Sequence, residues 1–158
     1  MESLIRPAHR GLTPAGLSPA AGRFSLSVVA LRLVIAALTM ATAWIHFSLG
    51  GLLFTANAAG YATLGLAMIT PLPVAGRYRW LIRIALLGFT GATIGGWLIL
   101  GARFPLAYID KGIESLLVGC LVREIYRDDG GFVQVGRRLL AIGRRLLAAA
   151  RGPWAAGG

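Results

Sequence analysis

Four long apolar stretches, separated by short polar breaks, dominate the pattern of hydrophobic and polar residues along this chain. The first two run from Phe24 to about Phe47 and from Leu52 to about Thr70. The third covers about Leu81 to Leu100, and the fourth, about Leu106 to Tyr126, is apolar mainly in its second half. Because a helix of roughly 20 residues crosses the hydrocarbon core of a bilayer, the pattern predicts an all-α fold, a four-helix transmembrane bundle.

Residues that end helices occupy the breaks. Gly50-Gly51 follows the first stretch, and Pro71 and Pro73 follow the second. The segment from Val74 to Trp80 mixes arginines with aromatic residues, which is typical of a loop at a membrane interface. We therefore expect short turns between the four helices.

The composition agrees with a bilayer as the main solvent. Hydrophobic residues make up 56% of the chain, charged residues only 14%, and the mean hydropathy is +0.71. Ordinary soluble domains contain about 45–50% apolar residues. The single cysteine, Cys120, lies in an apolar stretch, which excludes an intrachain disulfide framework and a thiol metal site.

A cleaved signal peptide is the alternative interpretation of the first stretch. Arg23 precedes the apolar run, and Ala41-Thr42-Ala43 matches the small-residue pattern of a cleavage site. However, Arg32 lies inside the apolar run, and the basic segment before it is unusually long for a signal peptide. We therefore interpret this stretch as a span.

The positions of the basic residues predict the orientation of the spans. Arginines occur before the first stretch, in the second break and after the fourth stretch, whereas the first break has none and the third has only Arg103, with Lys111 nearby. Because positively charged loops stay in the cytoplasm, both termini should be cytoplasmic. The net charge is +10. The basic residues behind it lie beside apolar runs, which favours anionic lipid headgroups over nucleic acid as the partner.

Two basic segments flank the predicted transmembrane domain, residues 24–127. Residues 1–23 contain prolines and glycines and show no apolar periodicity, so we expect a disordered tail. In residues 128–158 the run Gly-Arg-Arg-Leu-Leu-Ala recurs after seven residues, which separates leucines from arginines around a helix. This predicts a C-terminal amphipathic interfacial helix, with a solvated charged tail as the alternative. The predicted lipid-headgroup ligands are Arg137, Arg138, Arg144, Arg145 and Arg151.

Small residues at helical spacing predict where helices approach closely in lipid. The third stretch holds Gly88, Gly91 and Gly95, and the fourth holds Ser115 and Gly119. Packing within the bundle is the favoured use of these residues. A seam between two copies of the chain is the alternative.

Polar residues within the apolar stretches form the candidate site. Arg32, Thr39 and His46 are spaced seven residues apart, so they share a helix face that should look into the bundle. Under the predicted topology, a histidine, an asparagine and three charged residues lie in the outer half of the bundle, and a tyrosine follows the asparagine by one helical turn. The candidate polar site therefore consists of His46, Asn57, Tyr61, Asp110, Lys111 and Glu114.

Structural roles are the competing interpretation of these residues, because Asn and Tyr often bridge helices and charges at helix ends often meet headgroups. Haem iron needs an axial pair, but the chain's histidines are His46 and, in the tail, His9. Zinc ligation by His46, Asp110 and Glu114 is chemically allowed, although their spacing is not diagnostic. No Gly-rich phosphate loop or HExxH motif appears. The sequence therefore predicts no cofactor and no metal.

The middle of the chain contains two segments with several polar residues: His46-Phe-Ser-Leu-Gly-Gly-Leu-Leu-Phe-Thr-Ala-Asn57-Ala-Ala-Gly-Tyr61 and Ala107-Tyr-Ile-Asp110-Lys111-Gly-Ile-Glu114. In these segments the chain resembles a loosely defined group of small, uncharacterised four-helix bacterial membrane proteins. The resemblance implies the four-span fold and a bacterial plasma membrane. It implies no activity.

The function that these observations favour is that of a non-enzymatic accessory or structural membrane subunit. Its bundle and basic helix would bind lipid together with a membrane-protein partner or a second copy of the chain. Two alternatives stay open: a small proton-coupled transporter that uses Glu114 and His46, and a redox subunit that binds quinone or haem near His46.

Overall fold

Five α-helices make up the part of the chain that the computed structural model describes, residues 19–71 and 73–151. They are α1 (Pro19–Leu49), α2 (Leu52–Ile69), α3 (Pro73–Leu100), α4 (Pro105–Asp128) and α5 (Phe132–Arg151). No strand occurs within these residues, so the prediction of an all-α fold is confirmed. The predicted disordered tail falls mostly on residues 1–18, and the end of the predicted C-terminal segment on residues 152–158; both lie outside the described residues.

Within the described residues, three helices are long and apolar enough to cross a membrane: α1 from Ser27 to Leu49, α2 over its whole length, and α3 from Gly76 to Leu100. α4 has sufficient length, at 24 residues, but it contains too many charged side chains to count as an apolar span like the other three. These charges form two groups, one in residues 110–114 and one in residues 123–128: Asp110, Lys111, Glu114, Arg123, Glu124, Arg127 and Asp128. α5 is amphipathic, as predicted, with apolar and arginine-bearing faces.

Two helices begin earlier than the hydrophobic pattern predicts. α3 starts at Pro73, so the predicted interfacial loop from Val74 to Trp80 is wrong, and these residues form the first turns of the helix. α1 likewise starts at Pro19, before Phe24. Proline is favoured in a first turn, where its missing N–H needs no partner, and arginine is a good helix former. The helices therefore continue beyond their apolar stretches.

Paired glycines form the turns that precede α2 and α5. Gly50 and Gly51 join α1 to α2 with φ angles of 69° and 82°, and Gly130 and Gly131 join α4 to α5 with φ angles of 77° and 87°. In this left-handed region, a side chain on most other residues crowds its own backbone. The glycine pairs therefore let the chain change direction within two residues.

Helices α1 to α4 pack as a ring in which α1 contacts α2 and α4, and α3 contacts the same two neighbours. Large apolar side chains cover much of the outside of this ring, among them Leu33, Trp44, Leu66, Leu98 and Leu116. The apolar core between the helices consists of Ile35, Ala43, Tyr61, Met68, Leu86, Leu117 and Leu121. An apolar exterior around buried charged groups is the arrangement that a lipid surrounding favours.

Close helix approach occurs on α2 rather than at the predicted small residues. A Cβ atom built on Gly60 would lie 2.6 Å from Phe89 Cζ, and one built on Gly65 would lie 3.0 Å from Thr39 Cγ2. Among the described residues, a built Cβ would meet nothing within 4 Å at Gly88, Gly91, Gly95 or Gly119. The predicted packing of these glycines inside the bundle is therefore wrong, because they occupy helix faces that no neighbouring helix covers.

Candidate functional site

Two clusters of polar side chains lie inside the bundle, one towards each end. The histidine cluster lies near the α1–α2 and α3–α4 turns and consists of His46, Tyr61, Thr93, Asp110, Lys111 and Glu114. The arginine cluster lies towards the other end and consists of Arg32, Arg83, Glu124, Asp128 and Asp129. Charged groups inside an apolar bundle are costly unless they are paired, so each cluster has either a structural or a functional role.

Glu114 is the centre of the histidine cluster and is fully buried. Its Oε1 atom lies 2.8 Å from the Tyr61 hydroxyl and 2.9 Å from the Thr93 hydroxyl, both of which can donate to it. Its Oε2 atom accepts a hydrogen bond of 2.6 Å from Lys111 Nζ. Side chains from α2, α3 and α4 therefore meet at this one carboxylate.

His46 approaches the two acidic residues of the cluster from α1. Its Nδ1 atom lies 3.0 Å from the Thr42 carbonyl oxygen, one turn earlier. A carbonyl oxygen only accepts hydrogen bonds, so this contact places a hydrogen on Nδ1, and in the neutral imidazole Nε2 then carries the lone pair. Nε2 lies 4.0 Å from Glu114 Oε1, and Nδ1 lies 3.7 Å from Asp110 Oδ1.

Lys111 joins the two carboxylates of α4. Its Nζ atom lies 2.9 Å from Asp110 Oδ2 and 2.6 Å from Glu114 Oε2. The other Asp110 oxygen, Oδ1, is buried and has no hydrogen-bond partner among the described residues. An unsatisfied buried polar atom costs about 1–3 kcal/mol, so Oδ1 marks a place where a further group belongs.

A cavity of about 570 Å³ opens beside the histidine cluster. Its walls come from the end of α1, the start of α2, the second half of α3 and the start of α4. Its aromatic lining residues are Phe54, Phe89, Trp97 and Phe104, and its polar ones include His46, Asn57, Asp110 and Lys111. Small-molecule sites occupy about 300–1,000 Å³ and combine apolar walls with a few polar groups. The cavity has both properties.

The arginine cluster joins three helices and the turn that leads to α5. The buried Arg83 guanidinium lies 2.7 Å from Asp129, 2.8 Å from Asp128 and 3.0 Å from Glu124. Arg32 on α1 reaches two of the same acids, with distances of 2.9 Å to Glu124 and 3.0 Å to Asp128. Every acid of the cluster is thus paired with an arginine, and the cluster has the arrangement of a structural clamp.

Opposing effects act on the pKa of Asp128 at the end of α4. Burial raises the pKa of this carboxyl group, while hydrogen bonds from Arg127 and Arg32 and the charge of Arg83 lower it. The arginines prevail, so the pKa lies below its ordinary value of 3.8. Asp128 is therefore negatively charged at neutral pH.

Five of the six candidate residues named from the sequence come together in the histidine cluster. The sixth, Asn57, lines the cavity without a hydrogen bond to the cluster. Sequence reasoning missed Thr93 and Thr42, because threonine is common in membrane helices and carries no charge that would single it out. It also missed the pairing of Arg83 with Glu124, although two opposite charges inside apolar stretches are a signal for such a pair.

Most of the described basic residues of α5 are exposed and make no contact with the polar clusters. Arg137, Arg144 and Arg145 are exposed, while Arg138 Nη1 lies 3.4 Å from Asp129 Oδ1. The side chain of Arg151 lies outside the described residues. Arg138 therefore links α5 to the arginine cluster, and the other described arginines of the helix are turned outward.

No protein-family model, curated protein or solved structure matches the chain.

Proposed function

We propose that the protein crosses a bacterial plasma membrane four times, with both termini in the cytoplasm, and binds a small apolar molecule in the cavity beside the histidine cluster. α4 supplies the fourth span. At about 1.5 Å per residue, its length of 24 residues corresponds to about 36 Å, which exceeds a hydrocarbon core of about 30 Å.

The direction in which the side chains of α4 point supports the fourth span. Asp110, Glu114 and Glu124 are buried inside the bundle, whereas Ile109 and Leu116 are exposed on the outside. Inward-facing, paired charges are tolerated in membrane helices. The buried charges of α4 are therefore compatible with its crossing the bilayer, and the exposed Arg123 and Arg127 lie near the end of the helix.

The distribution of basic residues supports the orientation. The arginine cluster and α5 lie towards the same end as the arginine-rich start of α3. The opposite end, with the cavity, carries Arg103 and Lys111. The end with more arginines faces the cytoplasm in this proposal, so the cavity lies in the outer half of the membrane.

The lining of the cavity is the main support for a bound ligand. Aromatic side chains on α2, α3 and the start of α4 form flat apolar surfaces, and Phe54, Phe89 and Trp97 are among them. Asn57 and Lys111 offer hydrogen-bond donors in the same cavity. This combination fits a ring-containing molecule with a polar oxygen, and lipid-soluble quinones have that chemistry. Haem is less suited, because His46 is the only histidine of the predicted spans.

Ligand binding is compatible with the accessory role that the sequence favours, because a subunit can hold a lipid-soluble molecule for a partner without transforming it. Proton-coupled transport through Glu114 and His46 stays a prediction. Such a carrier would have to release Glu114 from Lys111, which lies 2.6 Å from its Oε2 atom. α5 adds a second binding surface in the proposal, for anionic headgroups at the cytoplasmic face.

Quenching of tryptophan fluorescence by a naphthoquinone tests the proposed ligand class on the full chain in detergent. Trp97 lines the cavity, whereas Trp44 is 71% exposed on the outside of the bundle. We expect saturable quenching in the wild type and in the matched control W44F, and loss of the saturable component in W97F.

A cavity-filling variant provides the second arm of this experiment. Gly96 lines the cavity, and a Cβ built on it meets nothing within 4 Å among the described residues. G96L should therefore fold and should weaken quinone binding by filling the space. Equal saturable quenching in W97F and W44F, or unchanged quinone binding in G96L, would contradict the proposal.

A further inference from the structure

We infer that His46, Asp110 and Glu114 form a binding site for a divalent transition-metal ion such as Zn²⁺. Each side chain offers one ligand atom within 4.8 Å of the other two, and all three residues are buried. One imidazole nitrogen with two carboxylate oxygens favours zinc-like metals over Mg²⁺ or Ca²⁺, which prefer oxygen ligands alone. The inference goes beyond the proposed function, because it requires no organic molecule in the cavity.

His46 has the orientation of a metal-binding histidine. Its Nδ1–H group donates to the Thr42 carbonyl oxygen at 3.0 Å. Histidines that bind metals commonly donate their other ring N–H to a carbonyl or carboxylate, which fixes the tautomer and the ring orientation. The Nε2 lone pair of His46 is thereby left for a metal, on the side of the ring that faces Glu114 Oε1 at 4.0 Å.

Asp110 supplies an independent observation that points to a cation as the ligand. Its side chain is only 3% exposed, and its Oδ1 atom has no hydrogen-bond partner among the described residues. The nearby His46 Nδ1 atom lies 3.7 Å away, beyond hydrogen-bond range, and its hydrogen already points at Thr42. A buried carboxylate oxygen in this state needs a cation or a donor.

Lys111 and the two hydroxyl groups leave the required oxygen atoms accessible. Lys111 holds Asp110 Oδ2 and Glu114 Oε2, so Oδ1 and Oε1 remain on the histidine side. Tyr61 and Thr93 each carry one hydroxyl hydrogen, and Thr93 can direct its own to the Thr90 carbonyl oxygen at 2.8 Å. Oε1 then accepts a single hydrogen bond, from Tyr61, and keeps a lone pair for the metal.

A small adjustment would bring the ligand atoms to coordination distance. Zinc bonds of about 2.0–2.2 Å in a tetrahedral site place neighbouring ligand atoms about 3.4 Å apart. His46 Nε2 and Glu114 Oε1 are 4.0 Å apart, and one ligand atom of each residue lies within 4.8 Å of the other two, so metal binding requires side-chain rotations that shorten these distances. Three protein ligands leave the fourth position to water or to a polar group from the cavity, which His46 and Asp110 also line.

Isothermal titration of Zn²⁺ into the chelator-treated full chain in detergent tests the inference, with no organic ligand added. The chain's other histidine, His9, provides a matched control. We expect one Zn²⁺ per chain in the wild type and in H9A, and an affinity at least tenfold weaker in both H46A and D110N. Co²⁺ should give visible absorption bands of a low-coordinate site in H9A and lose them in H46A.

Variants that bind poorly because they unfold are identified by circular dichroism and thermal unfolding without metal. D110N keeps the shape of the side chain, and H46Q serves as a second variant if D110N does not fold. Absence of Zn²⁺ binding in the wild type, equal affinity in D110N and H46Q, or loss of binding in H9A would each overturn the inference. The naphthoquinone titration is separate, so failure of either site can be distinguished from failure of the other.

Discussion

Replacing Arg83 by methionine removes the side chain that connects three acidic residues in the arginine cluster. The guanidinium of Arg83 is buried and lies 2.7–3.0 Å from Asp129, Asp128 and Glu124. Methionine fills a similar length of space without a charge or a hydrogen-bond donor. The change therefore leaves the acids in place and removes their best-placed cation.

The expected loss of stability depends on the acidic groups that remain buried after the change. Removing one partner of a buried ion pair costs about 3–5 kcal/mol, because the other charge is left uncompensated. Glu124 is fully buried, and its Oε2 atom already lacks a hydrogen-bond partner among the described residues. Arg32 still contacts Glu124 and Asp128 after the change, so we expect the lower end of this range, about 3 kcal/mol.

Unfolding of the detergent-solubilised chain by sodium dodecyl sulfate, followed by circular dichroism, measures this free energy. The matched control is R77M, because Arg77 is exposed near the start of α3 and lies over the Tyr78 ring at 5.9 Å. We expect R77M to stay within about 0.5 kcal/mol of the wild type. The double variant R83M/E124M should lose less than R83M, because it removes both charges of the buried Arg83–Glu124 pair.

Two results would refute this reasoning. One is an R83M variant whose free energy of unfolding lies within about 1 kcal/mol of the wild type. The other is a double variant less stable than R83M, which would mean that Glu124 contributes to stability without its arginine partner.

Three further predictions concern other parts of the chain. Replacing Arg137, Arg138, Arg144 and Arg145 by glutamine should move a fluorophore on α5 of the reconstituted full chain away from the surface of anionic nanodiscs and should have no such effect in neutral nanodiscs. Unchanged emission in anionic nanodiscs would argue against headgroup binding. In a C120A background, H46C/E114C should crosslink within one molecule and the control H46C/E124C should not, because His46 Nε2 lies 4.0 Å from Glu114 Oε1; equal crosslinking would contradict the cluster. Because the pKa of Asp128 is lowered on folding, its contribution to stability is present above pH 3.8 and is lost as the pH falls below that value. The D128N variant should therefore show a flatter acid limb in a plot of stability against pH, and an unchanged limb would exclude Asp128 as the cause.

Residues that repeat at helical spacing allowed much of the bundle to be predicted. The seven-residue spacing of Arg32, Thr39 and His46 places them on one face, and Thr39 and His46 are indeed buried while Arg32 reaches Glu124. Such periodicity depends only on helix geometry, so it needs no knowledge of the neighbouring helices.

Helix ends and packing contacts were harder to predict, because they depend on tertiary surroundings. The basic and aromatic residues from Val74 to Trp80 fit either an interfacial loop or the first turns of a helix, and α3 adopts the second. Gly91 and Gly95 have the spacing of a packing motif, yet the close contact occurs at Gly60 against Phe89. A small residue permits the close approach of another helix but does not determine which helix packs against it.

The candidate site could be predicted as a set of residue types but not as a geometry. Charged residues in apolar stretches are rare, so Asp110, Lys111 and Glu114 stand out in the sequence. Nothing in the sequence indicates that Lys111 holds one oxygen of each acid, or that Asp110 Oδ1 has no partner among the described residues. Those features depend on rotamers that only the packed bundle determines.

Reporter fusions decide whether α4 crosses the bilayer, on which the proposed membrane arrangement and the outer position of the cavity depend. Fusions after Gly131 and near Gly76 should report the cytoplasm, and fusions near Gly50 and Ala102 should report the exterior, because basic segments stay inside. If α4 does not cross, the positions before and after it lie on one side of the membrane. An exterior report after Gly131, or the same side for Ala102 and Gly131, would contradict the four-span arrangement.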